Sequence, residues 1–155
     1  MTTAQSRRAT LILLIVSGLI ISICMGLRQS FGLFMRPITL ELGISAAAFG
    51  FSVALQNIVW GFGQPIVGAL ADRSGARPVL VVTSVIYALG LLMVMFARGE
   101  LGLGVAGFMI GVGIAGTGFG ILIGVVTRST PPERRSQTVG AVAAAGSLGT
   151  MLIAP

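Results

Sequence analysis

The sequence predicts an all-α integral membrane protein, and three observations carry that reading. Of its 155 residues 55% are hydrophobic and only 9% charged, whereas a soluble domain carries about 25% charged residues to solvate its surface. Long uncharged runs separate the few charges. Glycine is abundant, at 23 residues, with no three-residue period, which suits membrane helices that pack closely. A soluble enzyme is therefore excluded, and so is a free-standing nucleic-acid binder.

The formal charge of +6 does not mark nucleic acid as a partner. All ten basic residues are arginines, strung singly or in pairs between the apolar runs, which is a topology signal. With no histidine and the single Cys24, no ordinary zinc or haem site can be assembled. No catalytic pair, metal site or cofactor site is expected.

Five uncharged runs are long enough to cross a membrane. They hold 19 residues between Arg8 and Arg28, 30 between Glu41 and Asp72, 20 from Pro78 to Ala97, 27 from Leu101 to Thr127 and 20 from Ser136 to Pro155. A helix needs about 20 residues for ~30 Å of hydrocarbon. Spans are expected near 11–35, 47–71, 78–97, 101–127 and 136–155, after a polar N-terminus at 1–10. The connections are a loop containing Pro37, Asp72 to Arg77, Arg98 to Glu100, and Arg128 to Arg135 with its turn at Pro131-Pro132. Loops this short predict sequential helices that are antiparallel neighbours.

Arginine counting orients the chain. With the N-terminus cytoplasmic, Arg7, Arg8, Arg73, Arg77, Arg128, Arg134 and Arg135 face inward and only Arg36 and Arg98 outward. This satisfies the positive-inside rule and places the chain in the plasma or inner membrane. The run after Arg8 is long and has no small-x-small cleavage site, unlike a secretory signal.

The connection between the second and third spans carries the most specific pattern. Gly68, Asp72, Arg73, Gly75 and Arg77 match G-x-x-x-D-R-x-G-x-R. That segment resembles the loop 2–3 signature of the major facilitator superfamily, with Pro78 where the family usually has a further basic residue. In that family the motif is a conformational latch, which implies that Asp72 pairs with charges and a helix end across the cytoplasmic interface. Pro132-Glu133-Arg134-Arg135-Ser136 is similar to the P-x-x-R segment at the start of the fifth helix in such carriers. Arg28-Gln29-Ser30-Phe31-Gly32-Leu33-Phe34 resembles the first-helix end of monocarboxylate and oxalate–formate carriers. The intramembrane arginine often found early in the family's fourth helix has no counterpart, because Arg98 precedes the span.

Two features are candidates for contacting a solute. Arg28 either snorkels to the outer headgroups, if the first helix ends near Leu27, or lies inside a longer helix and faces a cavity. In the second case its planar fork suits a carboxylate. On the second span Asn57, Trp60 and Gln64 share one helical face with Gly68, while Gln56 lies on another. That stripe either bonds to neighbouring helices or lines a polar path. The small residues Gly107, Gly111, Gly116, Gly120 and Gly124, and Gly140, Ala144, Gly146 and Gly149, are read as packing surfaces. No span holds Asp or Glu, so no intramembrane carboxylate relay is expected.

The resemblance implies the N-terminal five helices of a twelve-helix bundle, built from 3+3 inverted repeats and working by alternating access. The expected cargo is a small organic anion such as a monocarboxylate. The expected partners are that solute, the lipid bilayer and a missing C-terminal half, since the chain stops at Pro155 inside an apolar run and reads as a fragment. The alternatives are a drug or amphiphile efflux carrier of the same superfamily, or a small non-transporting membrane scaffold.

Overall fold

The computed structural model describes the backbone of residues 3–153 and the side chains of Arg8 and of residues 11–152. The Arg7 side chain, counted above among the inner arginines, and the end of the fifth expected span at 154–155 lie outside the described residues. The elements are α1 (Thr3–Ser30), a 3-10 turn (Phe31–Phe34), α2 (Met35–Leu42), α3 (Ala46–Ser74), α4 (Ala76–Phe96), α5 (Gly99–Thr117), α6 (Phe119–Arg128), a second 3-10 turn (Pro132–Arg134) and α7 (Arg135–Ile153). Among the described residues, four helical stretches are long and apolar enough to cross a membrane: Leu11–Leu42, Ala46–Ser74, Ala76–Phe96 and Gly99–Arg128. They form two compact units, one built from α1, α6 and α7, the other from Phe31–Thr117.

In the second unit α5 lies against both α3 and α4, which meet each other far less. Missing side chains make this possible. A Cβ added at Gly107 would stand 2.7 Å from the Ser52 carbonyl oxygen, and one at Gly111 2.7 Å from that of Gln56. On another face of α5, a Cβ at Gly113 would stand 2.5 Å from Tyr87 Cβ, and one at Gly116 would collide with Thr83. One glycine pair thus admits α3 and the other admits α4. Ser52 Oγ also donates to the Leu103 carbonyl at 2.8 Å. These pairings fix direction: partners rise together between α3 and α5, which are parallel, and run oppositely between α4 and α5. The three helices therefore alternate up, down, up, although α5 and not α3 is the main neighbour of α4.

The first unit is a parallel packing of α1 on α7. Gly18 faces Ala145, with 3.1 Å from an added Cβ to Ala145 Cβ, and a side chain at Gly149 would collide with the Ser22 backbone. Ser22 Oγ donates to the Ala145 carbonyl at 2.5 Å. Gly146 sits under Ile21 and Phe119. Not every glycine has this role: at Gly68, Gly120 and Gly140 nothing lies within 4 Å of an added Cβ.

Two local features differ from the expectation. The chain around Pro37 is not a loop, because Pro37 is the third residue of α2. A first-turn proline lacks only an N–H that has no intrahelical acceptor there. The turn comes later, where Gly43 takes the left-handed conformation at φ 62° and ψ 32°. Ser45 then caps α3, its side chain accepting from the Ala48 N–H at 3.1 Å. The expected fourth span is interrupted at Gly118, whose extended backbone (φ −79°, ψ −171°) separates α5 from α6.

Candidate functional site: the faces of α3 and the loop to α4

At 100° per residue, the side chains of α3 sort onto three faces. Ser52, Gln56, Val59 and Gly63 turn toward α5, with Gly63 3.0 Å from Ala115 Cβ if a Cβ is added. Phe51, Ile58, Phe62 and Ile66 form an exposed apolar ridge, with Phe62 76% exposed. Asn57, Trp60 and Gln64 form the third face and are all half-buried. This polar stripe is turned roughly 150° from the apolar ridge by helical geometry. A helix with one apolar edge and a polar edge opposite has its greasy side suited to lipid and its polar side suited to protein or water.

The stripe's chemistry is that of neutral hydrogen bonding. Asn57 Nδ2 donates to the Val53 carbonyl at 2.8 Å. Gln56, only 3% exposed, belongs to the α5 contact instead. Pro65 was not singled out in the sequence. It lies inside α3 and has no N–H to offer the Gly61 carbonyl one turn earlier. Gly61 has no atom within 4 Å of an added Cβ, so the helix is open at that point. The signal that could have found it is a proline next to the stripe's Gln64 inside an otherwise helical run.

Arg28 is half-buried and lies in the last turn of α1. Ser30, which closes α1, donates its Oγ to the Gly26 carbonyl at 3.0 Å, and helical structure continues to Leu42. The α-helix thus closes three residues beyond Leu27, and a 3-10 turn and α2 carry the helical path onward. Phe31, after Arg28, stacks on Phe49 at the start of α3 with ring centroids 5.8 Å apart and planes at 19°. Arg28 belongs to the first unit and the α3 stripe to the second.

The loop from α3 to α4 is a single residue. Gly75 closes α3 and opens α4 at φ 89° and ψ 150°, a region open essentially to glycine alone. Asp72, Arg73 and Arg77 are exposed around it. Asp72 sits in the last turn of α3, where the helix dipole disfavours an anion, but α4 begins at Ala76, four residues on, with its favourable end. Pro78 stands in the first turn of α4, which tolerates it. Gly68 lies on α3 one turn before Asp72, facing open space.

Comparison with known proteins gives this geometry a context. Residues 8–155 match the family profile described as the Major Facilitator Superfamily. The chain is 32% identical over 130 residues to monocarboxylate transporter 11 of Mus musculus, covering 84% of this chain and 29% of that protein. It is 33% identical over 72 residues to monocarboxylate transporter 13 of Rattus norvegicus, covering 46% of this chain and 17% of that protein. The chain thus spans less than a third of the length of these relatives. No solved structure matches it.

Proposed function

Because this integral membrane chain belongs to the Major Facilitator Superfamily, a family of transporters and not of enzymes, we propose that it forms the N-terminal part of a secondary carrier for a small organic anion, a monocarboxylate being the best fit. The observation that carries the reading is the three-faced α3. A scaffold helix needs only faces for its neighbours and for lipid, whereas Asn57, Trp60 and Gln64 stand opposite the apolar ridge. In this reading they line the polar path. Arg28 supplies the fixed cation that favours carboxylates. The similarity to monocarboxylate transporters supports the same substrate class.

The five helical segments α1, α3, α4, α5–α6 and α7 are five crossings, with the N-terminus and the loop around Gly75 in the cytoplasm of the plasma or inner membrane. Helix directions support this count. Three crossings between α1 and α7 require those two to be parallel, and they pack in parallel register. Asp72, Arg73, Gly75 and Arg77 then act at the cytoplasmic face as the latch that opens and closes during alternating access, with Gly68 leaving room for a helix of the C-terminal half.

The test is uptake of radiolabelled lactate by the reconstituted carrier. Arg28→Ala should lower kcat/KM about thirtyfold, the equivalent of about 2 kcal/mol for a hydrogen bond to a charged group. Arg28→Lys should recover part of the loss. Unchanged lactate uptake in Arg28→Ala removes the anion reading, and accompanying uptake of a cationic dye assigns the carrier to amphiphile efflux.

A further inference from the structure

Gln56 is a buried polar side chain that helix packing alone does not account for. It is 3% exposed and sits where α3 meets α5, its backbone carbonyl oxygen 2.7 Å from a Cβ added at Gly111. Buried hydroxyls of the same unit are paired. Ser52 Oγ donates to the Leu103 carbonyl at 2.8 Å, Thr83 Oγ1 to that of Val79 at 2.8 Å and Thr117 Oγ1 to that of Gly113 at 2.9 Å. The Gln56 amide, by contrast, makes no hydrogen bond to any described residue, and Gly111 opposite has no side chain to offer one. A buried amide left without a partner costs about 1–3 kcal/mol, and lipid supplies nothing to answer it. Leucine would fill the same space without that cost. Nor is the amide fully enclosed, so the small surface that Gln56 keeps includes its polar end. Helical geometry joins that end to the stripe. Gln56, Trp60 and Gln64 follow at four-residue intervals, each turned roughly 40° from the last, so the row winds from the α5 contact out to the polar face.

We propose that Gln56 is the innermost solute-contacting residue of this row, and that its amide selects monocarboxylates carrying a hydroxyl beside the carboxylate over those without one. An amide offers a donor and an acceptor with no charge, which complements a hydroxyl that also donates and accepts. A solute lacking the hydroxyl leaves the amide unanswered and is discriminated against for that reason. The solute class rests on the function proposed above, whereas the residue rests on its burial and its unbonded amide.

Uptake of lactate and of propionate, which differ by that one hydroxyl, tests the proposal in the reconstituted carrier. Gln56→Leu should lower kcat/KM for lactate about five- to tenfold, the worth of one neutral hydrogen bond, and leave propionate within about twofold of the parent. Its thermal midpoint should equal or exceed the parent's, since no hydrogen bond within the protein is lost. An equal fall for both acids, unchanged uptake of both, or a lowered midpoint overturns the proposal, the last because the amide would then be paired within the fold. Access is read separately on a Cys24→Ala background. Gln56→Cys should react with 2-aminoethyl methanethiosulfonate and be protected by lactate more than by propionate, while Ser52→Cys, one turn away, should stay unlabelled. An unreactive Gln56→Cys overturns solute contact whatever the cargo. A parent carrier that moves neither acid overturns the monocarboxylate reading and the selectivity with it, and labelling of Gln56→Cys without protection in that carrier marks the failure as one of substrate and not of access.

Discussion

Gly113→Ala is the most direct test of the way α5 is wedged between its neighbours. The new methyl would stand 2.5 Å from Tyr87 Cβ, 2.7 Å from its Cα and 2.9 Å from its backbone nitrogen. Carbon pairs are at rest near 3.5–4.0 Å, so α4 and α5 must separate by about 1 Å, and the obstacle is backbone that cannot rotate away. Overpacking costs about 1–3 kcal/mol, and three contacts under 3.0 Å on immovable atoms put this site at the upper end, about 2–3 kcal/mol. Alanine returns up to about 1 kcal/mol through helix propensity, leaving a net loss of about 1–2 kcal/mol. Gly104→Ala on the same helix is the matched control, because nothing lies within 4 Å of its added Cβ. The assay is the thermal midpoint for loss of the monodisperse peak in detergent size-exclusion chromatography. At about 2–4 °C per kcal/mol for a chain of this size, Gly113→Ala should melt about 2–8 °C below the parent, and Gly104→Ala at or above it. Equal midpoints for the two variants would refute the close α4–α5 approach.

Three further outcomes follow from the same geometry. Gly75→Ala should destabilise by about 1–3 kcal/mol, and Gly75→Asn should not rescue it, since ψ of 150° lies outside the left-handed helical well; equal thermal midpoints would remove the single-residue turn. Ser45→Ala removes the side chain that accepts from Ala48 N–H and should cost about 1 kcal/mol, with Ser45→Asp near neutral in the same melt. On a Cys24→Ala background, Gln64→Cys should react with a membrane-impermeant thiol reagent in open carrier, and Phe62→Cys should not. Equal reactivity at both positions would contradict separate polar and apolar faces on α3.

The parts of this architecture visible in the sequence are those set by local chemistry. Charges bracketed the apolar runs because a charge is expensive in hydrocarbon, and Gly75 within its motif announced a backbone that only glycine takes. The stripe of Asn57, Trp60 and Gln64 followed from helical periodicity alone. What it faces did not, because the apolar ridge opposite becomes meaningful only once α5 is known to occupy the remaining side. The helix through Pro37 was hidden because a proline reads the same in a loop and in a first helical turn. The break at Gly118 was hidden among so many glycines, and composition cannot tell one that bends the chain from one that admits a neighbour. Gly107 and Gly120 illustrate the point: both fit one small-residue spacing, yet a Cβ added at the first would meet Ser52 and one at the second would meet nothing within 4 Å.

The placement of α5 bears on how the protein is made. Membrane helices insert singly before they associate, and α3 and α4 leave the ribosome before α5. Those two have little surface for each other, so this half of the molecule stays an unjoined pair in the bilayer until residues 99–117 arrive. Assembly of the unit then becomes a single late event timed by synthesis of α5. A side chain much larger than alanine at Gly107 or Gly113 would accordingly present as arrested biogenesis, with α3 and α4 inserted but α5 unable to join them.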